Sequence, residues 1–269
     1  MPAQSDAKIT WRILWRSAYG MTLWIVNAAV FTLLLAPFLW LGLLTFDKSG
    51  RWPRWILRRM CCTSVKQFCG QNLRITEFNW KQVSGPCILV ANHQSVLDIL
   101  FMMLLPPDCR CWAKRWPFRI PVLGLMMKLC GHLCVDDPAV LYKAADSLRG
   151  GVSLLVFPEG TRSRDGKLTR FHDGVFILAA RTGVPIIPVA IHGSGKMMPR
   201  GTIQLIDTQM VIQPLGVLYA NPTMDKPHLD LKRRTADLIA QALQSGVATS
   251  DIVGKLPITS GGAMARSGP

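Results

Sequence analysis

Apolar positions divide the chain into two regions with different patterns. Residues Met21 to Phe46 form one almost uncharged apolar run, longer than the roughly 20 residues that a helix needs to cross a bilayer. After Gly70, short apolar runs alternate with stretches of helical periodicity. This alternation is typical of an α/β fold. We therefore expect a membrane-associated helical segment followed by one α/β domain.

The α/β region contains predicted strands and helices in turn. Strands are predicted at three short apolar runs, which are Cys87 to Ala91, Val152 to Phe157, and Val184 to Ile191. Helices are predicted at Ser95 to Leu105, from Asp137-Pro138 to Gly150-Gly151, at Asp173 to Thr182 with Gly183 as its cap, and at Leu229 to Leu243. The tail from Ser260 onward consists of small and polar residues, so we expect it to be disordered.

Basic and aromatic residues flank the apolar run on both sides. The basic ones are Lys8, Arg12, Arg16, Lys48, Arg51, Arg54, Arg58 and Arg59. With two basic flanks, the positive-inside rule gives no orientation for a single span. A hairpin bent near Pro37 would dip into one leaflet and leave both flanks on the cytoplasmic face, and we favour it over a span. The flanking tryptophans expected at the interface are Trp11, Trp15, Trp52 and Trp55.

Composition narrows the class of partner. The chain has 269 residues, of which 49% are hydrophobic, and a net charge of +15, with a mean hydropathy of +0.25. A chain that is both apolar and basic favours a membrane over nucleic acid, and no zinc-finger, RNP or basic-region pattern is present. The eight cysteines are irregularly spaced and most lie in apolar runs, so we expect reduced thiols facing the cytosol and no metal site.

The first candidate site is Asn92-His93-Gln94-Ser95-Val96-Leu97-Asp98, where a predicted strand gives way to a helix. Loops at the carboxyl ends of strands are where α/β folds place their sites. Neutral imidazole can take a proton from an alcohol near neutral pH, and a carboxylate can fix its tautomer. His93 and Asp98 are therefore a candidate base and its partner. The alternative is that Asp98 and Ser95 only cap the helix and His93 is an ordinary loop residue.

The second candidate site is Phe157-Pro158-Glu159-Gly160-Thr161-Arg162-Ser163, again at the end of a predicted strand. Arg162 can bind a phosphate through paired donors, and backbone amides near Gly160 can bind an anion. The alternative is a polar turn with a surface ion pair, which contributes little.

Four blocks of residues, in this order, make the chain resemble the glycerolipid acyltransferase family typified by bacterial lysophosphatidic acid acyltransferase. The resemblance covers roughly residues 85 to 193 and the apolar, basic-flanked N-terminus. The blocks are Asn92-His93-x-x-x-x-Asp98, Lys114 with Ile120-Pro121-x-x-Gly124, Phe157-Pro158-Glu159-Gly160-Thr161-Arg162-Ser163, and Val184-Pro185-Ile186-Ile187-Pro188-Val189.

The resemblance implies a single acyltransferase domain in which helices flank a mixed β-sheet, and a direct transfer without an acyl-enzyme. His93 would deprotonate an acceptor hydroxyl with support from Asp98, and the hydroxyl oxygen would attack the thioester of acyl-CoA or acyl-carrier protein. No cofactor beyond this co-substrate is expected. The acceptor, with lysophosphatidic acid leading, would be held by Lys114, Glu159, Gly160, Thr161 and Arg162.

Two positions depart from the family pattern and bear on the acceptor. Asp137 follows Asp136 where the family commonly has an arginine, and His172 follows Phe171 where a lysine is common. Both changes remove fixed positive charge, which leaves open an acceptor without a phosphomonoester, such as a lyso-ornithine lipid or another lysophospholipid. Asp137 could instead turn outward and cap the helix that Pro138 opens.

These observations predict three segments. Residues 1–62 would form the membrane-associated helical segment, residues 63–246 the acyltransferase domain, and residues 247–269 a flexible tail. The expected location is the cytoplasmic face of a membrane such as a bacterial inner membrane. The expected partners are membrane lipids, and no nucleic acid is expected to bind. A rival interpretation is a catalytically silent membrane-binding protein that uses only its basic amphipathic surface.

Overall fold

A computed structural model describes residues 11–30, 37, 50–69, 72–163, 165–199, 201–202 and 204–246. Its described helices are α1 (Trp11–Val30), α2 (Arg51–Cys69), α3 (Asp98–Met102), α4 (Arg115–Arg119), α5 (Pro121–Leu129), α6 (Val140–Arg149), α7 (Gly174–Thr182), α8 (Ser194–Met197) and α9 (Pro227–Ser245). Its strands are β1 (Leu73–Ile75), β2 (Ile88–Ala91), β3 (Cys109–Ala113), β4 (Leu133–Cys134), β5 (Ser153–Val156), β6 (Ile186–His192) and β7 (Met210–Pro214).

The strands form one mixed sheet in the order β1-β7-β6-β2-β5-β3-β4. Only the β6–β7 pair is antiparallel, and the other neighbours are parallel. The central strand β2 pairs with β5 on one side and with β6 on the other. The expected mixed sheet with flanking helices is confirmed. Because β2 and β5 are parallel neighbours, the loops after their carboxyl ends lie at the same edge of the sheet.

Side chains alternate between the two faces of the sheet, which explains why the central strands are apolar throughout. In β2, Leu89 and Ala91 join one core cluster, whereas Ile88 and Val90 join the other. The first cluster is covered by α2 and α3, and the second by α6, α7 and α9. A parallel strand that is buried on both faces needs apolar residues at every position, so β2 reads as a continuous apolar run.

The predicted elements are found, with shifted ends. The helix predicted from Ser95 begins at Asp98 and ends at Met102, since the amides of Gln94 and Ser95 point at the Asp98 carboxylate in a preceding turn. The end of α7 matches its prediction, because Gly183 adopts φ +70° and its amide bonds the carbonyl of Ala179. This left-handed conformation suits glycine and stops the helix.

Helix α2 belongs to the core of the α/β domain. Its residues Cys61, Val65 and Cys69 are buried in the same cluster as Leu89 and Phe101. The expected boundary between residues 62 and 63 therefore falls inside an unbroken helix. The structure thus differs from the expected separate N-terminal segment, because the second half of α2 packs in the core of the α/β domain. The cause is the apolar face of α2, which can be buried only against the sheet.

Most of the predicted hairpin lies outside the described residues, which include only 21–30 and Pro37 of the apolar run. The expected flexible tail, residues 247–269, and the disorder expected from Ser260 onward likewise lie outside the described residues. Within the described part of the chain, none of the helices is long and apolar enough to cross a bilayer. The flanking tryptophans are described and exposed, with Trp11 at 76%, Trp15 at 70%, Trp52 at 51% and Trp55 at 54%.

Candidate active site

The two candidate motifs meet at the carboxyl edge of the sheet. His93 follows β2 and Glu159 follows β5, and the amide of His93 donates to Oε1 of Glu159 at 2.9 Å. Asn92 fixes the end of β2, because its side chain exchanges two hydrogen bonds with the backbone of Ile191 in β6, at 2.7 and 3.0 Å. Asn92 is 1% exposed. The turn that carries His93 is thus tied to both neighbouring strands.

His93 and Asp98 form the expected pair. Nδ1 of His93 lies 2.9 Å from Oδ2 of Asp98, whose side chain is fully buried. The same oxygen accepts hydrogen bonds from the amides of Gln94 and Ser95 at 2.7 and 2.8 Å. An Nδ1–H that donates to the carboxylate leaves Nε2 as the proton acceptor. The His93 ring also stacks on Phe157, with centroids 4.3 Å apart, which restricts its rotation.

A cavity of about 600 Å³ opens beside His93. Of the residues expected to hold the acceptor, Lys114, Gly160, Thr161 and Arg162 line it. Apolar residues form other parts of its wall, namely Val96, Ile99, Trp112, Trp116, Pro117 and Val135. The cavity therefore offers cationic groups and apolar surface beside His93, as an amphiphilic ligand requires.

Glu159 has a different position from the one expected of an acceptor ligand. It is 4% exposed and is absent from the cavity wall. Its Oε1 accepts from the amide of His93, and its Oε2 accepts from both the amide and the hydroxyl of Thr169 at 2.9 and 2.8 Å. A buried carboxylate requires such bonds to offset the loss of hydration. Both oxygens are therefore directed into the protein.

Gly160 forms a tight turn under His172. Its φ is +66°, and its amide donates to the carbonyl of Phe157 at 3.1 Å. That amide therefore closes the turn, and anion binding by amides near Gly160 stays a prediction. A Cβ at this position would lie 3.1 Å from Nε2 of His172. His172 itself lines the cavity, and a glycine leaves room for its ring.

The side chain of Asp137 faces α6, the helix that follows it in the chain. Its Oδ1 accepts from the amide of Ala139 at 2.9 Å, and its Oδ2 pairs with Nζ of Lys143 at 2.6 Å. The hydrogen bond from Lys143, followed by that from Ala139, lowers the pKa of Asp137. Asp136 contacts Arg115, whose amide donates to it at 3.2 Å. Neither aspartate is part of the cavity wall. Asp137 accepts from the amide of Ala139 just before α6, but the N-cap residue of α6 is Ala139 itself and has no side-chain cap.

The cysteines do not contribute to the cavity wall. All eight are free, and burial raises the pKa of several thiols, to about 11 for Cys87 and about 12 for Cys130. A thiol with a raised pKa is a poor nucleophile. In the described ranges, no three His, Cys, Asp or Glu side chains are grouped so as to hold a metal ion.

Thr169 was not predicted from the sequence to lie near the site, and no role was predicted for Ser163. The amide of Ser163 donates to the carbonyl of His93 at 2.7 Å. Ser163 lies in the second motif, so its proximity to the site could be expected. Thr169 lies outside both motifs, and its contact with Glu159 depends on how the intervening loop folds back.

Residues 72–192, which contain both motifs, match the family described as Acyltransferase. This part of the chain therefore matches an acyltransferase domain.

Similar proteins carry more specific names. One is a chloroplastic 1-acyl-sn-glycerol-3-phosphate acyltransferase of Brassica napus, 36% identical over 166 residues that cover 59% of this chain and 48% of that protein. Another, from Chlamydomonas reinhardtii, has the same enzyme name and is 32% identical over 215 residues, covering 77% of this chain and 61% of that protein. The chain thus spans about half to three-fifths of the length of these curated relatives.

The fold is shared with a solved structure. The crystal structure of the 1-acyl-sn-glycerophosphate (LPA) acyltransferase PlsC from Thermotoga maritima superposes with a TM-score of 0.71 at 20% identity. The match covers 87% of this chain and 95% of that one. At this level of identity, the match supports the fold alone.

Proposed function

We propose that this protein transfers a fatty acyl group from acyl-CoA or acyl-carrier protein to the free hydroxyl of lysophosphatidic acid, forming phosphatidic acid. The observation that carries the proposal is the His93–Asp98 pair beside a cavity with Lys114 and Arg162 in its wall. Relatives named as 1-acyl-sn-glycerol-3-phosphate acyltransferases support the choice of acceptor.

The reaction needs one base and no enzyme nucleophile. Nε2 of His93 takes the proton of the acceptor hydroxyl as the oxygen attacks the thioester carbonyl carbon. The C–S bond then breaks, and the departing thiolate receives that proton from the imidazolium. Asp98 stabilises the positive charge on His93 during the transfer, since its carboxylate oxygen is 2.9 Å from Nδ1.

Charge in the cavity favours a phosphate-bearing acceptor. Lys114 and Arg162 supply cationic groups, and a guanidinium can bind phosphate through paired donors. Asp137, whose carboxylate is bound by Lys143 and the amide of Ala139, adds no charge to the wall. Asp136 and Asp137 lie outside the cavity wall, and the proposed contacts of the phosphomonoester are Lys114, Gly160, Thr161 and Arg162.

The exposed tryptophans support action at a membrane surface. Trp11 and Trp15 in α1 and Trp52 and Trp55 in α2 can lie at the headgroup level of a lipid bilayer. Each buried methylene contributes about 0.8 kcal/mol, so extraction of a lipid into water is costly. A site held against the cytoplasmic face of the membrane receives its acceptor without that cost.

An assay with the purified full-length chain tests the proposal. The chain in mixed micelles receives acyl-CoA with lysophosphatidic acid or with a zwitterionic lysophospholipid, and free thiol and the lipid product are measured. We expect thiol release that depends on the acceptor, faster with lysophosphatidic acid, and phosphatidic acid by mass spectrometry. Equal rates with both acceptors would contradict the proposed preference for an acceptor that carries a phosphomonoester. No release with either acceptor, nor with acyl-carrier protein as donor, would favour the silent membrane-binding protein.

A further inference from the structure

The segment that follows β5 forms hydrogen bonds with both the amide and the carbonyl of His93. The amide of His93 donates to Oε1 of Glu159 at 2.9 Å, and its carbonyl accepts from the amide of Ser163 at 2.7 Å. The next residue, Gln94, donates its side-chain amide to the carbonyl of Gly166 at 3.1 Å. Residues 159–163 and 165–169, termed the brace, therefore contact His93 and Gln94 at three points.

Hydrogen bonds within the brace hold it closed. Oε2 of Glu159 accepts from the amide and the hydroxyl of Thr169, ten residues further along the chain. The hydroxyl of Ser163 donates to the carbonyl of Lys167 at 2.8 Å. Because Glu159 is 4% exposed, its carboxylate depends on these partners rather than on water. Thr169 thereby fixes the Glu159 side chain that holds the amide of His93.

We infer that Glu159 and Thr169 are positioning residues, which act on the reaction by holding the main chain of His93 and not by contacting the acceptor. Asp98 fixes Nδ1 of the ring, whereas the brace fixes the backbone from which the ring projects. Both contacts are needed to aim Nε2 at the acceptor hydroxyl. The kinetic consequence rests on the proposed function, and a displacement of about 1 Å can cost about a hundredfold in rate.

Three variants separate positioning from acceptor binding. Thr169→Val removes the hydroxyl bond to Glu159 but keeps the amide and the shape. Glu159→Gln cannot accept hydrogen bonds at both ends, so its NH2 group faces either the His93 amide or the Thr169 amide. Thr182→Val is the matched control, because its hydroxyl donates to the carbonyl of Leu178 at 2.8 Å and it lies outside the cavity wall.

Steady-state kinetics give the first test. We expect kcat to fall about three- to tenfold in Thr169→Val and about a hundredfold in Glu159→Gln, with KM for the acceptor unchanged and Thr182→Val equal to wild type. The double variant should lose no more than Glu159→Gln alone, because Thr169 acts through Glu159. A raised acceptor KM at constant kcat would make Glu159 an acceptor ligand. The inference would also be overturned if the losses in kcat of the two single variants multiplied in the double variant. An unchanged kcat in Glu159→Gln would overturn it as well.

Hydrogen exchange tests the brace even if the proposed function fails. The backbone amides of residues 92–98 should exchange faster in Thr169→Val and in Glu159→Gln than in wild type, as measured by mass spectrometry on folded protein. Thr182→Val should leave their exchange unchanged. Equal exchange in all four proteins would overturn the brace, whereas absence of acyl transfer by the wild type would overturn only the function.

Discussion

Asp98 combines a structural and a chemical task in one oxygen atom. Its Oδ2 accepts hydrogen bonds from the amides of Gln94 and Ser95, in the turn that precedes α3. The same oxygen lies 2.9 Å from the His93 ring. One carboxylate oxygen thus holds both the turn before α3 and the His93 ring, whereas no side chain caps α3 itself. The turn that starts α3 also orients the proposed base.

The buried residue His132 predicts how the stability of the protein depends on pH. Nδ1 of His132 accepts from the amide of Cys111 at 3.0 Å. Burial, and after it the guanidinium groups of Arg54 and Arg110, lowers the pKa of His132 to about 3. An unfolded chain's histidine titrates near pH 6.5. The unfolded state therefore takes up a proton between about pH 6.5 and 3 that the folded state does not, and stability is lost as the pH falls through this range.

His132→Asn tests this dependence, since the amide oxygen of asparagine can accept the Cys111 amide but does not titrate. Between pH 7 and 5, we expect the free energy of unfolding of wild type to fall by about 2 kcal/mol more than that of the variant. Urea unfolding at each pH measures it. Equal losses in the two proteins would mean that His132 takes no part in acid sensitivity.

At the scale of elements, α2 joins the proposed membrane surface to the catalytic domain. Its Arg54 is buried and bonds both carboxylate oxygens of Asp108 at 2.7 and 2.8 Å. Arg58 in the same helix donates to the carbonyl of Pro106 at 2.6 Å. Both contacts reach the segment that follows α3. The exposed Trp52 and Trp55 therefore have a fixed direction relative to the site.

Arg54→Lys should loosen α2, because an ammonium cannot form the paired hydrogen bonds of a guanidinium. Asp108 remains 39% exposed in this pair, which limits the loss. We expect a decrease of about 2 kcal/mol in the free energy of unfolding and faster hydrogen exchange in residues 51–69. Arg51→Lys, at an exposed position of the same helix, is the control and should change stability by less than about 0.5 kcal/mol. Similar effects of both substitutions would refute the docking role of Arg54.

At the scale of the whole molecule, charge and apolar surface act together. The net charge of +15 attracts the chain to anionic lipids, while the exposed aromatics of α1 and α2 offer contacts that salt does not screen. The two contributions can be separated by ionic strength, because the Debye length falls to about 3 Å at about 1 M salt.

Full-length chain should therefore stay with anionic vesicles at about 1 M salt and be released by detergent. Replacing Trp11, Trp15, Trp52 and Trp55 with serine should lower the bound fraction in high salt. Tyr142→Ser with Tyr219→Ser, which removes aromatics that are 70% and 53% exposed outside α1 and α2, should leave it unchanged. Complete release of the wild type by salt alone would contradict hydrophobic insertion.

Features that depend on neighbouring residues were predictable from the sequence, whereas features that depend on contacts between distant residues were not. The strands β2, β5 and β6 and the end of α7 at Gly183 were predictable from local signals, namely apolar runs and a glycine cap. The short β4 (Leu133–Cys134) and the edge strand β1 were not, because they exist only through pairing with β3 and β7. Likewise the motifs identified His93 and Asp98, five residues apart. They could not reveal Thr169, whose contact with Glu159 depends on a returning loop.

Turnover by His93→Ala shows whether His93 is the base. Release of CoA should fall about a hundred- to ten-thousand-fold, while thermal unfolding and membrane association stay as in the wild type. Asp98→Asn should lose somewhat less, and His228→Ala, which replaces a histidine outside the cavity wall, should keep full activity. Wild-type turnover by purified, folded His93→Ala would contradict the assignment of His93 as the base.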